Sequence, residues 1–258
     1  MIDIHTHILP EVDDGSNALQ TSLEQLKRMQ DGGVKTIFLT PHFMRTHYPL
    51  NRELIRSKYE ELKAGMHKEN IQIELLNGRE IFLDTQVPAE IESSDLSMGS
   101  SSYVLVETNM SKFPADLNDI LYRLVIAGYK PIMAHPERYM DIISHPDLAE
   151  ELLYKNVYLQ INAGSLLGNY GKSVQKTAWF LVENGFAHFL ASDDHCHRPE
   201  YVLPEAWKMI SRNIDDHTAK LLTEINPQKM IDNQSIEFFY VTKIVEEKTG
   251  FFSKLFKL

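Results

Sequence analysis

Ile2-Asp3-Ile4-His5-Thr6-His7 is a short apolar run that ends in two histidines one residue apart. In an extended backbone residues i and i+2 share a face, so both imidazoles can reach a single ion where the strand stops. An H-x-H pair by itself divides evenly between a metal claw and two packing or surface residues. The balance is tipped downstream, because acidic or imidazole side chains recur at the ends of nearly all later strand candidates, where a parallel barrel would collect them at one mouth.

The rest of the composition narrows the class. A chain of 258 residues, 43% hydrophobic and 24% charged, can bury a full core, and this length fits one α/β barrel as well as two small domains. A formal charge of −10 without a basic stripe argues against nucleic acid as a partner. The single cysteine, Cys196, excludes an internal disulfide framework, and with no signal-peptide pattern it points to a reducing cytoplasm. No run approaches the roughly 20 apolar residues of a membrane span.

In chain order, the first strand opens into Leu9-Pro10-Glu11-Val12-Asp13-Asp14-Gly15-Ser16, a turn-rich loop with two adjacent carboxylates. Ser16 or Asn17 is placed to cap a helix to about Asp31, whose apolar stripe is Leu19, Leu23, Leu26 and Met29. Strand two, Val34 to Thr40, ends at Pro41-His42; strand three, Ile71 to Leu76, is followed shortly by Glu80. Residues 83–101 read as helical turns and loop. Strand four ends on Glu107, strand five on His135, strand six on the uncharged Asn162 and strand seven on Ser192-Asp193-Asp194-His195. Helical patterns separate the strands, so the expected architecture is a single parallel α/β barrel of about seven βα units over residues 1–235, with 236–258 as a C-terminal extension.

The constellation is then His5, His7, Asp14, His42, Glu80, Glu107, His135, Asp193 and His195, from six strand ends and one loop. Taken singly, a histidine at a strand end is most often a core residue bonded to backbone, and an acid there a solvated cap. Nine together reverse that default. Imidazole and carboxylate donors without thiolate favour manganese, iron or zinc in a multinuclear catalytic cluster over structural zinc. His47, His67, His145, His188, His197 and His217 have no such placement and read as surface or packing residues.

These residues carry a resemblance. Met1-Ile-Asp-Ile-His-Thr-His-Ile with the following Val12-Asp-Asp-Gly, the Thr40-Pro-His end at His42, Gly78-Arg-Glu-Ile around Glu80, Val106-Glu107, Ala134-His-Pro-Glu-Arg-Tyr139 and Ala191-Ser-Asp-Asp-His195 span residues 1 to about 200. The chain resembles the polymerase-and-histidinol-phosphatase superfamily, most closely its manganese-dependent bacterial protein-tyrosine phosphatases of capsule and exopolysaccharide synthesis. The resemblance implies a distorted TIM-like barrel with three divalent ions, manganese favoured. It places one ion on His5, His7, Glu80 and Asp193, a second on Glu80, Glu107 and His135, and a third on Asp14, His42 and His195, with Glu80 bridging. Arg138 matches a phosphate-binding arginine. Arg198 is the candidate for a second one, in a loop that is shorter here than in the family pattern. The implied partner is a phosphotyrosine protein, a tyrosine kinase of polysaccharide export.

The three ions and the arginine that the resemblance implies would carry a definite chemistry. Asp14, Glu80, Glu107 and Asp193 together carry −4, and three divalent ions +6, so an acidic protein would present a local positive charge to a phosphate. A hydroxide bridging two ions could attack phosphorus while Arg138 neutralises the equatorial oxygens. Tyrosine, with a phenol pKa of about 10, leaves with less protonation than a serine alkoxide needs. Three rival readings stand beside this one: a small-molecule phosphatase of the same superfamily such as histidinol phosphatase, an amidohydrolase, and a silent scaffold. An amidohydrolase usually bridges its ions with a modified lysine at strand four, where this chain has Glu107; a scaffold would have lost ligands. Cys196 lacks the phosphate-cradling C-x5-R loop of thiol phosphatases and reads as incidental. The apolar and basic end, Gly250 to Leu258, reads as packing on the barrel, with docking to a partner or to the inner membrane face as the alternative.

Overall fold

The computed structural model describes residues 1–93 and 96–238. Its strands are β1 (Ile2–Thr6), β2 (Thr36–Leu39), β3 (His42–Phe43), β4 (Glu74–Asn77), β5 (Glu80–Phe82), β6 (Tyr103–Glu107), β7 (Lys130–Ala134), β8 (Tyr158–Asn162) and β9 (Phe189–Ala191). Every pairing between them is parallel, in two sheets ordered β1-β2-β4 and β3-β5-β6-β7-β8-β9. Helices connect most successive strands, so this is the expected distorted α/β barrel.

The seven strand positions read from the sequence are present, but two of them are broken. The second continues from β2 into β3 across Thr40-Pro41, and the third from β4 into β5 across Gly78-Arg79. The registers Leu39↔Asn77 and His42↔Glu80 both differ by 38 residues, so the two strands bend together without slipping. Pro41 has no N–H for a ladder. At Gly78 a Cβ would lie 2.7 Å from Met98 Sδ and 3.2 Å from Thr40 Cγ2, so only glycine lets the paired bend close. Strand three therefore runs later than the Ile71–Leu76 expectation and carries Glu80 within it.

The barrel closes between β9 and β1 near the mouth. Asp193 N–H donates to His5 O (3.0 Å) and His7 N–H to Asp194 O (2.9 Å). The buried Asp3 carboxyl adds a tie, accepting from Ser192 N–H (3.0 Å) and the Tyr201 hydroxyl (2.9 Å). Alternation along the strands separates two cores. Ile2, Ile4, Phe38, Leu105, Ile132 and Phe189 belong to the barrel interior, and a larger cluster packs strands against helices. The first helix, Leu19–Asp31, starts from Ala18 without a side-chain cap; the expected cap Ser16 instead donates its hydroxyl to Ala18 O (3.0 Å).

The opposite end of the barrel is plugged by the described segment that follows the helix Asn226–Ile231. The Tyr103 hydroxyl donates to Gln234 O (2.7 Å), Tyr158 to Ile236 O (3.3 Å), and Asn226 Nδ2 to His188 O (2.9 Å). Phe238 stacks on Tyr158 with centroids 4.7 Å apart. The apolar and basic segment Gly250–Leu258 lies outside the described residues. Among the described residues no helix is long and apolar enough to cross a membrane.

Candidate metal centre

Parallel strands point their C-terminal ends one way, and the nine residues singled out by the sequence arrive at that mouth. β1 delivers His5 and, just beyond it, His7, whose Nε2 atoms are 3.1 Å apart. The register of β1 on β2 shifts between Asp3 and Thr6, and irregularities of this kind at barrel rims re-aim side chains. His42 comes from β3, Glu80 from β5 and Glu107 from the end of β6; His135 follows β7, and Asp193 and His195 follow β9. Asp14 reaches in from the loop after β1, where Gly15 lies so close to His7 that a Cβ would sit 2.1 Å from its carbonyl oxygen.

Three groups of potential ligand atoms converge: His5, His7, Glu80 and Asp193; His7, Asp14, His42 and His195; and His42, Glu80 and Glu107. Glu80 is the hub. Its Oε2 lies 3.1 Å from His5 Nε2, 3.2 Å from His7 Nε2 and 3.1 Å from His42 Nδ1, while Oε1 lies 2.8 Å from His135 Nε2. His135 thus meets Glu80 outside the three groups, whereas the resemblance paired it with Glu80 and Glu107; His42 stands in that position, 3.2 Å from Glu107 Oε1. Asp14 Oδ1 lies 3.4 Å from His42 and 3.6 Å from His195.

The donor set fits metal ions on a second, independent observation. Glu80 Oε2, Asp193 Oδ1, His42 Nδ1 and His135 Nδ1 are buried without an oriented hydrogen-bond partner among the described residues, which is costly unless something else satisfies them. Several imidazoles are also fixed from behind. His5 Nδ1 pairs with Gln160 Oε1 (2.8 Å), His7 Nδ1 with Asp13 Oδ2 (2.6 Å) and His195 Nδ1 with Asp193 O (3.0 Å). Outer partners of this kind select the tautomer that turns a lone pair toward an ion.

Electrostatics follow the same geometry. Burial alone would lower the pKa of His7, but Asp13 and Glu80 outweigh it and carry it up to about 10. Burial is likewise outweighed at His42, where Asp14, Glu107 and Glu80 carry the pKa up to about 12. For Glu80, burial pushes up, yet the surrounding imidazoles hold the carboxyl well below its usual range. Hydrogen bonds from His195 and His42 likewise hold Asp14 down. Divalent ions would compete with these protons for the same lone pairs.

The backbone records strain here too. His135 at φ 38° and Asp193 at φ 54° occupy the left-handed region, a cost of about 1–3 kcal/mol each that clusters at functional sites.

Beside the cluster lies a cavity of 340 Å³ whose lining includes Asp14, Arg138, Tyr170, Asp193, His195, His197 and Arg198. Arg138 Nη1 donates to Asp193 Oδ2 (3.1 Å). His197 lines this cavity as well, although its sequence position gave no reason to expect it. Asn162, an uncharged strand end that carries no signal of its own in the sequence, also belongs to the site: its Nδ2 donates to Asp193 Oδ2 (2.6 Å) and its Oδ1 accepts from Gln160 (2.9 Å). Asp13 was visible as half of an acidic pair, but only the fold separates its role behind His7 from that of Asp14 in front. Cys196 sits at the edge of a neighbouring pocket, and burial pushes its thiol up to about 12.

The family model for capsular polysaccharide synthesis, CpsB/CapC, matches residues 1–232. Tyrosine-protein phosphatase YwqE of Bacillus subtilis (strain 168) is 33% identical over 238 residues, 92% of this chain and 93% of the relative. Among solved structures, one from the work on YwqE of Bacillus subtilis and CpsB of Streptococcus pneumoniae, described as unique metal-dependent tyrosine phosphatases, superposes with a TM-score of 0.86 at 31% identity, covering 93% of this chain and 98% of that one. A histidinol phosphate phosphatase of Lactococcus lactis subsp. lactis shares the fold at a TM-score of 0.54 and 12% identity, covering 82% and 94%.

Proposed function

This chain belongs to the CpsB/CapC family of capsular polysaccharide synthesis, and we propose that its mouth hydrolyses phosphotyrosine on a protein of that machinery, a tyrosine kinase in the first instance. It is a metal-dependent tyrosine-protein phosphatase. The observation that carries the reading of the site is the convergence of His5, His7, His42 and His135 on the two oxygens of one buried carboxylate, Glu80.

We assign three divalent ions, manganese first, to His5, His7, Asp14, His42, Glu80, Glu107, His135, Asp193 and His195. Bound there, such ions supply Lewis acidity at phosphate oxygens and lower the pKa of the attacking water. The chain's own residues do the rest. Gln160, Asp13 and the Asp193 carbonyl hold three imidazoles in orientation. Asn162 and Arg138 share Asp193 Oδ2 and so fix that carboxylate in the one place where it also faces His5. Arg138 brings a planar guanidinium to the cavity, able to pair two phosphate oxygens at once, and Arg198 brings a second positive charge to the same space. The phenolic ester suits a site whose buried acids and bases are already committed to the cluster, since a phenolate leaves with little help from a proton donor. Cys196 takes no part, because its buried thiol keeps its proton. We place the protein in the cytoplasm, where the tyrosine kinase domains it would act on face.

The test is one activity profile over a phosphotyrosine peptide, a phosphoserine peptide and histidinol phosphate, repeated with manganese, zinc, iron and chelator. The phosphotyrosine peptide should be turned over fastest with manganese and not at all with chelator. Preference for histidinol phosphate would move the site to small-molecule phosphomonoesters.

A further inference from the structure

The cavity beside the cluster contains an aromatic ring that has no part in holding metal or in binding phosphate directly. Tyr170 lines it with Arg138, Asp193 and His195, is 41% exposed, and holds the Arg138 guanidinium carbon 4.6 Å from its ring centroid. Arg138 is thereby held between an aromatic face and the Asp193 carboxylate.

The segment that presents the ring is built, not loose. Gln175 Nε2 and Trp179 Nε1 both donate to Leu166 O, at 2.9 and 3.2 Å. Asn169 N–H donates to Gly164 O (2.9 Å) and Gly171 N–H to Gly168 O (3.1 Å). Gly168 and Gly171 stand at φ +85° and +95°, in the region glycine adopts without strain. A Cβ on Gly164 would come 3.2 Å from Tyr170 Cε2 and 3.3 Å from Asn169 Nδ2, so the ring rests on a bare stretch of backbone.

We propose that Tyr170 is the specificity-determining residue of the mouth, a shelf that steadies Arg138 against the phosphate and offers its remaining ring surface to the phenyl group of phosphotyrosine. The inference rests on the phosphotyrosine reading of the site. Metal ligands and arginines make the same contacts to the phosphoryl group of every phosphomonoester, so discrimination in binding, beyond the easier departure of a phenolate, comes from a group that touches the alcohol part. A phosphate paired with Arg138 carries its ester oxygen, and the aryl ring on it, into the neighbourhood of Tyr170. Aromatic pairs interact at centroid separations of about 4.5–7 Å, and the Arg138 guanidinium carbon, 4.6 Å from the Tyr170 centroid, sets the phosphate it binds beside that ring. An alkyl phosphate makes the same phosphate contacts and has nothing to stack.

The experiment compares kcat/KM on two peptides of one sequence, carrying phosphotyrosine or phosphoserine, for the manganese-loaded wild type, Tyr170→Phe, Tyr170→Leu and Gly164→Ala. Tyr170→Phe should keep the aryl-to-alkyl ratio within about twofold. Tyr170→Leu should lower that ratio about fivefold, the effect of one aromatic pair, chiefly through KM for the phosphotyrosine peptide and at unchanged manganese content. Gly164→Ala, which pushes on the ring without removing it, should move the ratio the same way by less. As an equilibrium check, phenylphosphonate should lose more affinity for Tyr170→Leu than methylphosphonate does. A wild type active on phosphotyrosine whose ratio is unchanged in Tyr170→Leu, or whose two activities fall together, overturns the inference alone. A wild type inactive on the phosphotyrosine peptide overturns the reading beneath it as well.

Discussion

At the mouth of the barrel His7 is carried up to about 10 and His42 to about 12 because carboxylates outweigh burial, whereas at the base His188 is pulled down to about 3 because burial meets only backbone partners. The same side chain, in the same barrel, is dressed for opposite tasks. The mouth concentrates charge, strained backbone and unsatisfied buried atoms, all of which cost stability unless ions bind. At the base, aromatic stacking and hydrogen bonds from the Tyr103 and Tyr158 hydroxyls and from Asn226 Nδ2 close the barrel, with Asn226 Oδ1 the one buried atom of these three side chains left without a partner among the described residues. Chemistry is stored at one end and stability at the other, which lets each be altered with little effect on its counterpart.

The largest separation should come from Glu80→Ala. Removing the hub leaves His5, His7, His42 and His135 without their common carboxylate, and phosphotyrosine turnover should fall by at least about a thousandfold. Metal analysis should show lost ions while far-UV circular dichroism stays native. Full turnover with full metal content would remove Glu80 from its central place.

Ile236→Ala should do the reverse. Ile236 is buried in the barrel interior at the base, and deleting such a side chain costs about 2–5 kcal/mol. Urea denaturation should register that loss, and kcat/KM at temperatures below the transition should stay at the wild-type value.

A smaller effect separates the ends by pH. His188 has a folded pKa of about 3 against an unfolded value of about 6.5. Between those values the unfolded chain binds the extra proton, so its stabilising effect is full above about pH 6.5 and declines as pH falls toward 3, by at most about 1.4 kcal/mol per unit. The difference in stability between wild type and His188→Gln, followed from pH 7.5 to 4.5 by urea denaturation, should narrow as pH falls. A gap that stays constant would show that the base imidazole is not held neutral.

The smallest expected change is that of Cys196→Ser, which should leave phosphotyrosine turnover within about twofold, because a thiol pushed up to about 12 supplies no nucleophile near neutral pH. Loss of activity at unchanged metal content would give the thiol a role that the mouth does not need.

Legibility in the sequence followed the range of the interaction. The pair His5 and His7 could be placed together because strand periodicity is local, and their Nε2 atoms do meet at 3.1 Å. The strand count was legible for the same reason. The shared bend that puts His42 and Glu80 inside strands was not, since a two-residue strand is defined by its partner, and the need for Gly78 comes from Met98 and Thr40. Uncharged supports such as Gln160 and Asn162 carry no signal of their own; they matter through partners 155 and 31 residues away. Tyr170 gave no sign either, because the glycines and the Leu166 carbonyl bonds that seat it acquire meaning only once its loop is folded beside Arg138.

The most direct test of the account is the position of the ions themselves. Crystals of the active protein grown with manganese, with diffraction collected at a wavelength where manganese scatters anomalously, should show three peaks at the mouth. Each peak should lie within coordination distance of Glu80, Asp193 or Asp14 and of the imidazoles around them. Anomalous density elsewhere, or none at these side chains in protein that still hydrolyses phosphotyrosine, would contradict the central claim that this cluster is the metal centre of the enzyme.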